Sequence, residues 1–92
     1  MTGQYDDHSE ADLCRLALDV QNASNLLGVI HSFHGVAARL RDLGLNERTH
    51  PAMVLFVDKI LDLMNPQAEG LLGARLEMFG EAYAKCRAIA GV

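Results

Sequence analysis

The sequence predicts an all-α fold: a small antiparallel helical bundle with a long first helix, continuous or kinked, completed by a second copy of the chain. Apolar residues recur at three- and four-residue spacing in long segments, from Leu13 to Leu40, Met53 to Met64 and Leu71 to Ala90. No stretch alternates apolar and polar residues for long, which leaves strands without a pattern. Half of the residues are hydrophobic yet only 5% are aromatic, and there is no Trp. Aliphatic side chains and Ala at that level suit helices that lean on a broad apolar surface. A chain of 92 residues buries only about 60–65% of the surface its unfolded form exposes, so a homodimer is the simplest source of further cover.

Residues 1–8 read as a disordered acidic tail, and 9–92 as a single helical domain. Ser9-Glu10-Ala11-Asp12 has the form of a capping box, in which Ser9 accepts from the Asp12 amide and the Asp12 carboxylate reaches back. From Leu13 nothing clearly stops a helix until Gly44. Leu13, Leu16, Val20, Ala23, Leu27 and Ile30 fall on one side; Asn22, Leu26, Val29, Phe33, Val36, Ala37 and Leu40 fall on a second. The element is either one helix of about thirty residues or two helices kinked between Gln21 and Gly28. A helix apolar on two sides needs cover on two sides. That need makes Asn22, Asn25, Leu26, Val29, Phe33, Val36 and Leu40 the interface candidates.

Gly44 fits a glycine C-cap, with Arg39 and Arg41 in the last turn. His50-Pro51 opens the next helix, because proline at the first helical position lacks an N–H that would go unpaired anyway. Its apolar face is Met53, Val54, Phe56, Val57, Ile60, Leu61 and Met64, while Asp58, Lys59 and Asp62 point away. Asn65-Pro66 ends it. A last helix over 67–90 buries Leu71, Leu72, Leu76, Phe79, Tyr83, Cys86 and Ala90.

Net charge is −4, with eight Lys and Arg scattered among twelve acids. Nucleic-acid binders concentrate basic residues on a patch, so no nucleic-acid partner is expected. The start is polar and acidic, which predicts no signal peptide, and the longest apolar run, Ala52 to Val57, is too short to span a membrane. A cytoplasmic protein with Cys14 and Cys86 as free, buried thiols is the expectation.

Candidate chemistry is sparse. His31 and His34, at i and i+3, could share a metal with His50 as a third ligand, but H-x-x-H alone supplies only two donors. The preferred reading makes His31 and His34 packing residues, each with one ring nitrogen bonded within the protein or across the dimer. Asn22, mid-stripe, is read as a buried amide that sets register between paired helices, with Asn25 one turn on. No Cys lies beside a His at a motif spacing, and Gly70, Gly73 and Gly80 fall inside a helix pattern rather than after a strand. No catalytic residue and no cofactor is therefore expected.

Gln21, Asn25-Leu26, Gly28-Val29 and His31-Ser32-Phe33, followed by His50-Pro51, Leu55-Phe56 and Asp58-Lys59-Ile60, resemble a family of small uncharacterised bacterial and phage-borne proteins. Its pattern is close to Q-D-A-C-N-L-S-G-V-V-H-S-F and then H-P-x-x-x-L-F-x-D-K-I. The resemblance covers residues 19–61 and departs at Asn22, Ser24 and Leu27, where the pattern has Asp, Cys and Ser. It implies a soluble, intracellular protein of bacterial or mobile-element origin and transfers no catalytic residue. The expected function is a non-enzymatic interaction or regulatory module with a protein partner. A small metal- or ligand-binding protein using His31, His34 and His50 is the alternative.

Overall fold

In the computed structural model, which describes residues 7–65 and 72–92, four helices follow one another: α1 (Asp7–Val20), α2 (Leu26–Asp42), α3 (Pro51–Met64) and α4 (Leu72–Ala90). The described residues contain no strand. They form a helical bundle in which α3 is the central element, packed against α1, α2 and α4. Helices α1 and α3 run in the same sense, since Glu10 meets His50 near their starts and Gln21 meets Leu55 and Lys59 further along. Helix α2 lies beside α3, with the Phe33 and Phe56 rings edge to face at 6.3 Å.

The long first helix is two helices, and local chemistry makes the break. Asn25 adopts an extended backbone (φ −114°, ψ 111°), and its Oδ1 accepts from the Gly28 amide, so it N-caps α2. Upstream, the amides of Gln21, Asn22 and Ala23 donate back three residues to Leu18, Asp19 and Val20, closing α1 with a tightened turn. Two long-range bonds secure the junction. Gln21 Nε2 donates to the Leu55 carbonyl, and Lys59 Nζ donates to the Gln21 carbonyl at 3.0 Å. A cation at a helix C-terminus also answers its dipole. Lys59 is therefore mostly buried and Asp58 is buried to 9% exposure, against the expectation that both face solvent.

Other boundaries follow local rules. Helix α1 begins at Asp7, so Ser9 sits inside its first turn rather than capping it. Of the expected acidic tail, residues 1–6 lie outside the described residues, as do 67–71 of the expected last helix. Helix α2 ends in a Schellman motif: Gly44, at φ 77°, donates to Arg41, and Leu45 donates to Leu40. Asn46 Oδ1 then accepts from the Arg48 amide while its carbonyl takes the His50 amide, which sets His50 directly before Pro51.

The core is built from Phe56, Leu40, Leu55, Val29 and Val36, with Cys14, Ala17, Ala82, Cys86 and Ala90 on the α1–α4 side. On α1 the buried line is Cys14, Ala17 and Val20. Leu13 is only partly covered and Leu16 is exposed, so the helix is rotated from the face that its leucines suggested. Small side chains let α1 and α4 approach closely, and that contact outweighs the larger leucines.

Candidate functional site

Helix α1 packs on α4 and α3 but barely meets α2. Between α1 and α2 lies a cleft of about 420 Å³, within the size range of small-molecule sites. Its apolar wall is Leu13 and Leu16 from α1 with Val36 and Leu43 from α2. Its polar groups are Ser9 and Asp12 from α1 with His31, Ser32 and Arg39 from α2. His31, Gly35 and Arg39 are spaced i, i+4, i+8 and so share one line on α2.

The two walls differ in their electrostatics. Asp12 is held by Arg15 at 2.8 Å. His31, Ser32 and Arg39 have no hydrogen-bond or ion-pair partner among the described residues. The neighbouring Arg41 is engaged with Glu47 at 3.2 Å. Spare hydrogen-bonding capacity in the cleft therefore lies with donors on α2.

The histidines divide in a way the spacing did not foretell. His31 and His34 are both exposed, and neither ring nitrogen is bonded among the described residues. His31 lines the cleft, while His34 meets Phe33 edge-on at 5.7 Å. Packing of these two within the chain is corrected, because both side chains are on the exposed side of α2 and only His31 turns toward the cleft. His50 is the packed histidine. Its Nδ1 accepts from the Ala52 amide at 3.1 Å and so caps α3. With Nδ1 an acceptor, the hydrogen-bond pattern places the ring proton on Nε2, which donates to Glu10 at 2.7 Å. Both ring nitrogens are thus committed, and the fold does not gather His31, His34 and His50. No group of three potential metal ligands occurs among the described residues.

Asn22 is exposed in the turn after α1, and its amide bonds Asp19, so it is no buried register-setting group. Asn25 is the α2 cap. Of the remaining interface candidates, Val29, Val36 and Leu40 are buried within the chain, while Leu26 and Phe33 are half-buried. Intrachain contacts with α3 supply cover that the sequence assigned to a partner.

Cys14 and Cys86 are free and 0% exposed, and they face each other across the α1–α4 seam. The hydrogen bond from Cys86 lowers the Cys14 thiol below its ordinary value. The same bond, with burial, pushes Cys86 far up. Such thiols are inert toward solvent reagents. No sequence signal announced the Glu10–His50 contact, which spans forty residues. The signal that was present for His50 is its place immediately before an N1 proline, which is the N-cap position.

No protein-family model matches the chain, and no curated protein or solved structure matches it. Among the described residues no helix is long and apolar enough to cross a membrane.

Proposed function

We propose that the protein is a non-enzymatic interaction module of the bacterial cytoplasm, working as a homodimer that presents a helical surface to a second protein. The observation that carries this reading is a line of uncovered apolar side chains on α3. Val57, Leu61 and Met64 are 41%, 49% and 65% exposed, and they stand one turn apart on one face. The apolar arc of α3 is wider than α1, α2 and α4 cover. A two-fold axis through such a line brings it against itself, which is the self-complementary contact of a symmetric dimer. Fully burying a Leu or Met side chain is worth about 1.5–3 kcal/mol, and two copies would each contribute three partly buried ones.

The non-enzymatic part is supported by the thiols and by His50, the side chains otherwise best suited to nucleophilic or acid-base chemistry. Both thiols are shut away from solvent, and His50 is consumed by a cap and a carboxylate. The bacterial setting is the one that the expected family pattern over residues 19–61 implies, and it is part of the proposal. Light scattering across the micromolar range should return about twice the 10.0 kDa chain mass. Leu61→Lys should bring the mass to that of one chain with helical circular dichroism unchanged. A single-chain mass for the unaltered protein at high micromolar concentration sinks the proposal.

A further inference from the structure

We propose that the α1–α2 cleft is a binding site for a small amphipathic carboxylate, a medium-chain fatty acid in its chemistry. The inference does not rest on dimerisation through α3, because the cleft lies between different helices.

Gly35 is the first observation. It sits inside α2 with ordinary helical backbone, and a Cβ built there would meet nothing within 4 Å. Glycine in a helix interior costs about 1 kcal/mol against Ala. Neither a positive φ nor a neighbour in the chain requires it here. What the missing side chain does is leave the cleft open midway between His31 and Arg39.

Charge is the second. The acid of the cleft, Asp12, is paired with Arg15 at 2.8 Å, whereas the Arg39 guanidinium, the His31 ring and the Ser32 hydroxyl are unengaged among the described residues. A carboxylate takes a guanidinium in a bidentate, charge-assisted bond, which makes Arg39 the anchor and leaves the alkyl chain to run past Gly35 toward Ser32 and His31. A cationic ligand would find Asp12 occupied and Arg15 and Arg39 repelling it.

Shape is the third. Leu13 and Leu16 on α1 face Val36 and Leu43 across the cleft as an apolar strip beside the polar groups, and Leu16 is 39% exposed. His31 and Arg39 are eight residues apart, about 12 Å along the helix. An extended alkyl chain anchored at one end fits that trough better than a compact polar anion, which would leave the leucines wet.

Octanoate is the probe, compared with octan-1-ol, octylamine and acetate by calorimetry and thermal shift. Octanoate should bind saturably at one per chain and raise Tm, with each comparison compound at least about tenfold weaker, the loss expected when a charged hydrogen bond or the apolar body is removed. Arg39→Gln should weaken octanoate by about tenfold without moving the unliganded Tm. Gly35→Leu and Leu16→Phe fill the cleft from opposite walls and should each abolish binding while the protein stays folded. Octanoate binding no tighter than octan-1-ol, or retained in either folded cleft-filling variant, overturns the site.

Discussion

Helix α1 has two neighbours of opposite character. Toward α4 it offers Cys14 and Ala17 to Ala82, Cys86 and Ala90, and the two helices close on each other until every one of these side chains is buried. Toward α2 it offers Leu13 and Leu16, and there the helices stand apart around a cleft. The apolar bulk is larger on the open side. Hydrophobicity alone therefore does not decide which faces meet; side-chain size sets how closely two backbones can approach, and the closer pair gains more dispersion contacts.

Changing side-chain size should break this contrast most strongly. Ala17→Leu adds bulk to a seam with no room and should cost about 1–3 kcal/mol in denaturant unfolding. Leu16→Ala, one position away on the open side, should cost less than about 1 kcal/mol because its side chain is partly wet already. Equal losses for the two would mean that the seam and the cleft do not differ as described.

The next largest effect separates the histidines. His50→Ala removes the α3 cap and leaves Glu10 without its donor, for an expected loss of about 1–2 kcal/mol. His31→Gln and His34→Gln on the open side should leave Tm unchanged. A Glu10→Gln, His50→Ala cycle would show the pair as non-additive.

The seam should also show in its pH dependence. Folded Cys86 holds its proton far above the ordinary value of 9.0, whereas the unfolded thiol releases it there. The folded state then binds more protons, and stability falls by about 1.4 kcal/mol per pH unit once that value is passed. Cys14, shifted down by the same bond, adds stability over the interval just below it. Chemical denaturation of the unaltered protein and Cys86→Ala from pH 8 to 10.5 should show the fall in the first and a flatter profile in the second. Both native thiols should label slowly throughout.

The smallest effect belongs to the cleft itself. Gly35→Ala should raise stability by about 0.5–1 kcal/mol through helix propensity. A drop in Tm would falsify the claim that nothing in the chain needs this glycine.

Much of the fold was readable from individual residues. Gly44, at the end of a periodic run and after two arginines, gave away the Schellman motif, and Pro51 after His50 gave away the start of α3. The kink between Gln21 and Gly28 was one of two readings, and Asn25 was the residue able to decide it. Its place inside an otherwise helical apolar pattern disguised it as an interface group. The site was less legible. His31 and His34 stood out by spacing, but spacing assigns a face and says nothing about what lies opposite. Val29, Val36 and Leu40 were rightly read as needing cover, and α3 of the same chain provides it.

By itself, the sequence determined the helices, their approximate ends and the sides that must be apolar, because hydrogen bonding, capping and periodicity act within a few residues. Only the tertiary structure decided which of those sides meet. Small residues at Cys14, Ala17, Ala82 and Cys86 drew α1 onto α4. Glu10 and Lys59 tied its two ends to α3, and α1 was thereby turned away from α2. The buried thiol pair, the committed His50 and the open cleft all follow from that single choice of neighbour, made by contacts between residues tens of positions apart.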